Sequence, residues 1–395
     1  MALQTTKKTH LNTPTFETPS ALWSALMDSA YPVAIWRLPN DPYVHGISDL
    51  RPQMQKHQKL EDAGTGFYIN PFLKHHPSEP QLIKGDLMMK WHKKKCVKNF
   101  LDPLLNDGEI TGFQKSMGNT HRALHQKIEN STNGFRSDVV EAVQCIKKGI
   151  FDKVVLSRFD DKALPTDFEL IKAFEMACEA YPNAFIYLVS TPNFGCWLGA
   201  TPETLLEIKD HQFKTVSLAS TQKLRANQTM NGIAWTQKEI EEQAMVSRYI
   251  IDCFKKIRLR EYLEIGPKTV QAGHMAHLKT IYQVDMETVN MPELGSTMLE
   301  LLNPTSAVCG MPLQPALEFV KKHEKYDREL YAGFLGPINI LGYTHLFVNL
   351  RCMKIMGTTG RFYAGAGITE NSNPEKEFEE TQLKMQTLKR IVFQS

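Results

Sequence analysis

Short apolar runs bounded by polar and turn residues recur along much of the chain, which is a pattern typical of β-strands. In the first third, proline-rich turns separate strand-like segments at residues 31–38 and 66–73. Later strands are predicted at residues 152–158, 184–190, 195–200, 204–208, 213–219, 340–356 and 361–368, the last two as a pair. Because helical segments separate several of these strands, the pattern predicts the α+β class.

Capping residues indicate where the helices begin. Three predicted starts have an acceptor side chain and a glutamate three residues later: Asp138 with Glu141, Thr166 with Glu169, and Thr236 with Glu239. Gly149 is the predicted end of the first of these helices, and a closing helix is predicted from Pro374.

Residues 1–135 are the least regular part of the chain. Their strand-like segments have too little helical cover to bury themselves. We therefore expect residues 1–135 to be a variable part that contributes strands to the same fold as a catalytic domain at residues 136–395.

The composition is that of an ordinary globular protein, with 42% hydrophobic and 23% charged residues among 395. The 46 basic and 43 acidic side chains leave a net charge of +3, which provides no general field for holding nucleic acid or an anionic membrane. No apolar run reaches the roughly eighteen residues that a membrane span needs. We therefore expect neither nucleic acid nor membrane as a partner.

The seven cysteines are scattered, without a C-x-x-C pair or the spacing of zinc ligands. Such a set favours reduced thiols. An export signal has an apolar run after its first charged residues, and the first residues of this chain, MALQTTKKTH, are not followed by one. The sequence therefore predicts a cytoplasmic protein.

Two helical segments each carry a pair of glutamates three residues apart, Glu239 with Glu242 and Glu377 with Glu380. This spacing puts each pair on one helical face. Carboxylates from two helices, without cysteine or histidine, make an oxygen site suited to Mg²⁺. Each pair also has a structural interpretation, because Glu239 is a capping-box partner and Glu377 lies in a first turn, where acids are favoured.

Ten segments occur in an order that resembles the chorismate-utilising enzyme family, over about residues 135–395. They are KVVLSR, GATPETLL, SLAST, the EEQ segment, HLKT, NPTSAVCG, DRELYAG, VNLR, YAGAGI and NSNPEKEFEETQLK. This family includes anthranilate, aminodeoxychorismate, isochorismate and salicylate synthases. The resemblance implies chorismate as the substrate, and a fold in which large antiparallel β-sheets pack as a sandwich with helices on the outside.

The family's reaction displaces the C4 hydroxyl of chorismate by attack of a nucleophile at C2. The resemblance implies Lys153 as the base and Glu203 as the acid. Partial removal from water lowers the proton affinity of a lysine and raises that of a glutamate, which suits both roles near neutral pH. A surface lysine at a strand edge and a solvent-facing glutamate are the structural alternatives.

The resemblance also implies residues that bind the substrate and the metal. The substrate-binding residues are Thr221, His277, Tyr331, Arg351, Gly365 and Lys384. Of the glutamates, Glu242 and Glu380 would contact Mg²⁺ directly. Tyr331 and Arg351 would hold a substrate carboxylate, while the backbone near Gly365 and Lys384 would complete an anion cradle.

Two of these residues also have structural interpretations. The alternation of residues 340–356 puts Arg351 in a strand, on one face with Phe347, Asn349 and Met353. There its guanidinium would need a carboxylate, either from a substrate or from a structural aspartate. His277 is a lone histidine, and a lone histidine is more often a satisfied structural residue.

Lys153 and the segment DREL at residues 327–330 resemble the isochorismate synthases, since amine-transferring relatives typically have glutamine and DRG there. Isochorismate synthase is therefore the predicted activity. Salicylate synthase, which goes on to eliminate pyruvate, and an inactive chorismate-binding protein remain alternatives. Ala219 stands where aminodeoxychorismate synthases have a characteristic lysine.

Three positions depart from the residues usual in the family: Ser220 replaces glycine, Gln243 replaces histidine, and Met311 replaces threonine. Ser220 matters most, because added bulk could alter how the ring hydroxyl is held. The resemblance implies Mg²⁺ as the cofactor, and we expect a monomer without a glutaminase subunit. Whether the product enters menaquinone or siderophore synthesis is left open.

Overall fold

The computed structural model describes residues 15–27, 29, 31–51, 59–73, 80–116, 134–224, 232–272 and 275–393. Ten strands of these ranges form the first sheet: β1 (Val33–Arg37), β2 (Tyr43–Ser48), β5 (Leu87–His92), β6 (Lys95–Leu101), β7 (Lys153–Ala163), β8 (Phe185–Thr191), β9 (Gly195–Thr201), β14 (Gly310–Met311), β17 (Cys352–Met356) and β18 (Thr359–Ile368). Their order is β14-β7-β18-β17-β9-β8-β1-β2-β5-β6, and neighbouring strands are antiparallel.

The second sheet contains eight strands of the described ranges: β3 (Gly66–Asn70), β4 (Gln81–Lys84), β10 (Thr204–Lys209), β11 (Gln212–Lys223), β12 (Leu263–Ala272), β13 (Met275–Asp285), β15 (Phe334–Ile338) and β16 (Tyr343–Val348). Their order is β12-β13-β11-β10-β16-β15-β3-β4, again antiparallel throughout.

Eight helices lie in the described part of the chain: α1 (Pro19–Leu26), α2 (Asp107–Ser116), α3 (Phe135–Lys147), α4 (Leu170–Ala180), α5 (Gln237–Lys256), α6 (Leu294–Leu302), α7 (Leu313–His323) and α8 (Pro374–Phe393). Helix α8 packs on β18 of the first sheet, and α5 packs on β11 of the second. The two helices that carry the glutamate pairs therefore pack on different sheets.

Aromatic side chains from the two sheets meet in the core. The rings of Phe185 in β8 and Phe347 in β16 stack with centroids 4.1 Å apart, and those of Trp36 in β1 and Phe67 in β3 lie 5.1 Å apart. Each pair joins one strand of each sheet, so the sheets face each other across this core. The predicted α+β fold of antiparallel sheets with helices outside is confirmed.

Strands from before residue 135 enter both sheets. Strand β1 lies between β8 and β2, and β3 pairs with β15. Later strands therefore hydrogen-bond directly to strands of the first third, so the described strands from both parts of the chain lie in one sandwich.

Two of the predicted helix starts are wrong. Helix α3 begins at Phe135 after Gly134, without a side-chain cap, so Asp138 lies inside its first turn. Helix α4 begins at Leu170, and its N-cap Glu169 makes no side-chain capping hydrogen bond. In α3 the buried stripe starts at Phe135 itself, so packing against the sheet decides the start rather than the spacing of capping residues.

The single strand predicted over residues 340–356 is also wrong. Strand β16 ends at Val348 in the second sheet, and β17 begins at Cys352 in the first. Arg351 lies between them with φ 50°, a left-handed conformation outside the extended region that strands adopt. It therefore does not share a strand face with Phe347 and Met353. Consecutive residues are buried on both sides of the break, in five of the six positions of β16 and four of the five positions of β17.

Candidate active site

A cavity of about 300 Å³ lies among β7, β11, β18, α5 and α8. Of the twelve residues predicted for the site, ten line this cavity within the described part of the chain: Lys153, Glu203, Glu239, Glu242, His277, Tyr331, Arg351, Gly365, Glu380 and Lys384. Side chains from both sheets and both glutamate-bearing helices therefore converge on one space.

The two remaining residues have other positions. Glu377 is 4% exposed in α8 and is not among the described residues that line the cavity. The backbone of Thr221 pairs with His277 in β13, while its side chain lies outside the description.

Lys153 is the first residue of β7 and is only 2% exposed. Its backbone pairs with Met311 of β14, and its Nζ donates a hydrogen bond to Oε1 of Glu242 at 3.1 Å. A buried ammonium group needs such a partner. The alternative of a surface lysine at a strand edge does not hold.

Gly367 makes room for this lysine. A Cβ atom at Gly367 would lie 2.9 Å from Cε of Lys153. Gly367 stands two residues after Gly365 in β18, so both face the same side of the sheet. Gly367 was not among the residues predicted for the site, although the spacing of the two glycines in YAGAGI was the available signal.

Glu203 lies where the chain passes from β9 in the first sheet to β10 in the second. This crossing runs beside the one at Arg351, because Val348 N donates to Glu203 O at 2.9 Å and Ala200 N donates to Arg351 O at 3.0 Å. The two crossings hold an acid and a guanidinium side by side at the cavity.

Burial raises the pKa of Glu203 to about 7, although the charges of Lys153, Lys384 and Arg351 act in the opposite direction. Glu203 is 9% exposed, and loss of hydration penalises the ionised form of its carboxyl group. A substantial fraction of Glu203 is therefore protonated near neutral pH and can donate a proton.

Gly365, Tyr331 and Lys384 form one side of the cavity. A Cβ atom at Gly365 would lie 2.9 Å from Oη of Tyr331 and 3.0 Å from the carbonyl oxygen of Leu156, so the strand admits only glycine there. Lys384 donates to the carbonyl oxygen of Gly365 at 2.9 Å. Burial raises the pKa of the Tyr331 phenol, which keeps the hydroxyl protonated as a donor.

His277 is 5% exposed, and its Nδ1 lies 3.2 Å from the carbonyl oxygen of Ser220. Because a carbonyl only accepts, Nδ1 carries the hydrogen and Nε2 is the acceptor nitrogen. Burial lowers the pKa of His277 to about 4, and the charge of Arg351 adds to this effect. The imidazole is therefore neutral at pH 7 and can accept a hydrogen bond from a hydroxyl group.

The four glutamates predicted around the metal are not equivalent. Glu239 forms the predicted capping box with Thr236, and its Oε2 also accepts from Gln222 at 2.8 Å. Glu242 is paired with Lys153, and Oε1 of Glu380 lies 2.6 Å from Nζ of Lys384. Within the described residues, no three acidic, histidine or cysteine side chains are grouped closely enough to hold a metal ion.

Glu242 and Glu380 nevertheless fit Mg²⁺ by the chemistry of their donors. Their side chains are 31% and 43% exposed, and both line the cavity from separate helices. Mg²⁺ is commonly held by one or two carboxylates while it keeps several waters. These two glutamates are the residues that would hold it.

Gln243 has a structural explanation, whereas nothing in the structure explains the methionine at position 311. Gln243 is 3% exposed, accepts from Ala219 N at 3.1 Å, and donates to Ser217 and Thr280. It thereby ties α5 to β11 and β13. The carbonyl oxygen of Met311 accepts from Asp152 N at 2.8 Å, next to Lys153.

The chain belongs to the chorismate binding enzyme family, whose model matches residues 54–393. Isochorismate synthase EntC of Escherichia coli (strain K12) is 27% identical over 268 residues, covering 67% of this chain and 68% of EntC. Isochorismate synthase MenF of the same strain is 28% identical over 307 residues, covering 76% of this chain and 68% of MenF. The predicted family is confirmed.

The solved structure of MenF, the menaquinone-specific isochorismate synthase from Escherichia coli, has the same fold. It matches with a TM-score of 0.74 at 22% identity, covering 94% of this chain and 90% of that chain.

Among the described helices, none has the length and apolar character needed to cross a membrane. All seven cysteines are free thiols.

Proposed function

We propose that this protein is an isochorismate synthase, which converts chorismate to isochorismate with Mg²⁺ as cofactor. The observation that carries the proposal is that Lys153 and Glu203 line one cavity together with Glu242, Glu380 and Arg351. A base, an acid, two metal-binding carboxylates and an anion-binding guanidinium are the groups that the reaction requires. Relatives named isochorismate synthase, 27% and 28% identical, support the same activity.

In this reaction, the oxygen of a water molecule forms a bond to C2 of the chorismate ring. The two ring double bonds shift, and the bond between C4 and its hydroxyl oxygen breaks. The attacking water must lose a proton and the departing hydroxyl must gain one, so one water enters and one leaves. Lys153 accepts the first proton, and Glu203 donates the second.

Other side chains of the cavity orient the substrate. Arg351 and Tyr331 hold a carboxylate of chorismate, because a guanidinium fork and a phenol can both donate to it. Lys384 and the strand at Gly365 support the same anion. The neutral imidazole of His277 accepts from a ring hydroxyl through Nε2.

Mg²⁺ would supply positive charge between the carboxylates of Glu242 and Glu380 and a carboxylate of the substrate, which otherwise repel each other. The cavity of about 300 Å³ lies at the small end of the range for ligand sites, in keeping with a substrate of one ring.

The test is to incubate the purified protein with chorismate and MgCl₂ and to resolve the products by chromatography at several times. Isochorismate without salicylate supports the proposal. Salicylate with an equal amount of pyruvate would assign salicylate synthase instead. Unchanged chorismate would overturn both activities in favour of a binding protein. A parallel sample with excess chelator should form no product, and undiminished turnover there would remove Mg²⁺ from the mechanism.

A further inference from the structure

Ser220 has an unusual backbone conformation at the edge of the cavity. It adopts φ 58° at a bulge in β11, where the pairing with β13 shifts between Ala219 and Thr221. A left-handed conformation is unfavourable for a residue with a Cβ atom and favours glycine. Ser220 is also 5% exposed, so its hydroxyl has been removed from water.

Three site residues contact Ser220. Its Oγ donates to the carbonyl oxygen of Glu239 at 2.5 Å and lies 3.4 Å from Oε2 of Glu242. Its own carbonyl oxygen accepts from Nδ1 of His277. The bulge therefore joins the first turns of α5 to the wall that carries His277.

The shorter contact determines where the single hydroxyl hydrogen points. At 2.5 Å the acceptor is the carbonyl oxygen of Glu239, one turn before Glu242 on the same helix face. A bond to this carbonyl holds the turn that carries Glu242. Oγ of Ser220 also lies beside the carboxylate of Glu242 and limits how far that carboxylate can rotate.

We propose that Ser220 is a positioning residue for Glu242: its hydroxyl anchors the start of α5 to the β11 bulge, and thereby sets the affinity of the site for Mg²⁺. This inference rests on the proposed function, because it takes Glu242 as a metal ligand. The effect on Mg²⁺ affinity comes from the hydroxyl of Ser220, and the backbone conformation alone would not produce it.

Two substitutions at this position separate the hydroxyl from the backbone. Ser220→Ala removes the hydroxyl but keeps a Cβ atom at an unfavourable φ. Ser220→Gly removes the hydroxyl and also the Cβ atom, so the same φ is no longer unfavourable. Thermal unfolding should therefore show a lower melting temperature for the alanine variant and an equal or higher one for the glycine variant. Mg²⁺ binding should weaken in both, by at least fivefold, in a calorimetric titration with MgCl₂ and no substrate.

Ser217→Ala is the matched control. Ser217 lies on the same strand, contacts α5 through Ser247 and Gln243, and is not among the described residues that line the cavity. This variant should lose thermal stability and keep Mg²⁺ affinity within twofold of the parent protein.

The inference is overturned if Ser220→Gly binds Mg²⁺ within twofold of the parent. It is also overturned if Mg²⁺ affinity follows stability, falling in both alanine variants and not in the glycine variant. Should the parent bind no Mg²⁺, the inference fails as well, and product formation from chorismate by the same preparation then decides the proposed function independently.

Discussion

Oε1 of Glu242 accepts a hydrogen bond from Nζ of Lys153 at 3.1 Å, so the proposed base and a proposed metal ligand form an ion pair inside the cavity. Lys384 and Glu380 form a second pair on α8. Both ion pairs consist of residues with proposed roles in the reaction, so substitutions at these positions test those roles.

The glutamates should differ in their effect on Mg²⁺ binding. Glu242→Gln and Glu380→Gln should each weaken Mg²⁺ affinity by at least tenfold, about 1.4 kcal/mol, because both carboxylates line the cavity. Glu239→Gln and Glu377→Gln should have smaller effects, since Glu239 is engaged in the helix cap and Glu377 does not line the cavity. Calorimetric titration with MgCl₂ measures these affinities. Equal weakening by Glu377→Gln and Glu380→Gln would contradict this account.

Lys153→Gln should reduce the rate of chorismate hydration by about a hundred- to ten-thousand-fold, the usual range for loss of a general base. Glutamine can orient a water molecule but cannot accept its proton. Lys354→Gln is the control, because Lys354 is also buried and paired with a glutamate, Glu329, but is not among the described residues of the cavity wall. A Lys153→Gln rate within about threefold of the parent would rule out this lysine as the base.

The raised pKa of Glu203 predicts how activity depends on pH. The acid must be protonated, so kcat/KM should fall as the pH rises through about 7, and Glu203→Gln should remove this dependence along with most of the activity. Steady-state rates between pH 5.5 and 8.5, about the range that brackets this pKa, provide the measurement. A parent profile that stays flat over this range would show that another group supplies the proton.

The raised pKa of Glu203 also affects the stability of the fold. Its folded-state pKa of about 7 exceeds the pKa of about 4.3 for an unfolded glutamate. The protonated carboxyl therefore contributes its full stability when the pH is below the unfolded-state pKa, and this stability is lost as the pH rises through about 7. Glu203→Gln should therefore raise the melting temperature relative to the parent more at pH 8 than at pH 5. An equal shift at both pH values would mean that burial does not perturb this carboxyl.

Arg351→Lys should raise the KM for chorismate by at least tenfold, because an ammonium cannot provide the two parallel donors of a guanidinium. Arg361→Lys is the control: Arg361 makes two hydrogen bonds to Asp161, at 2.8 and 2.9 Å, and is not among the described cavity residues. That variant should lose stability and retain the KM. If both variants changed KM alike, Arg351 would have no special role in holding the substrate.

Residues 136–395 expressed alone should not form a stable, active protein. Without the first 135 residues, β8 loses its neighbour β1 and β15 loses its neighbour β3, which exposes two sheet edges and the core between them. Limited proteolysis and thermal unfolding of the fragment test this. A stable fragment that turns over chorismate would show that the first third is dispensable.

By itself, the sequence determined the α+β class, the strands that form short apolar runs, the helix capped by Thr236, and the residue types that converge on the cavity. These features depend on local sequence: short apolar runs, the capping box, and motifs whose order is specific to one family. Lys153 and Glu203 could be named in advance because the motifs that contain them are distinctive.

Only the tertiary structure decided which side chains share the cavity. Glu203 and Arg351 meet because two neighbouring crossings between the sheets hold them, and consecutive residues are buried on both sides of the crossing at Arg351. Glu377 and Glu380 have the same local spacing as Glu239 and Glu242, yet only the packing of α8 turns Glu380 toward the cavity and leaves Glu377 away from it. Hydrophobic periodicity records which face of an element is buried, whereas a site depends on what lies opposite that face.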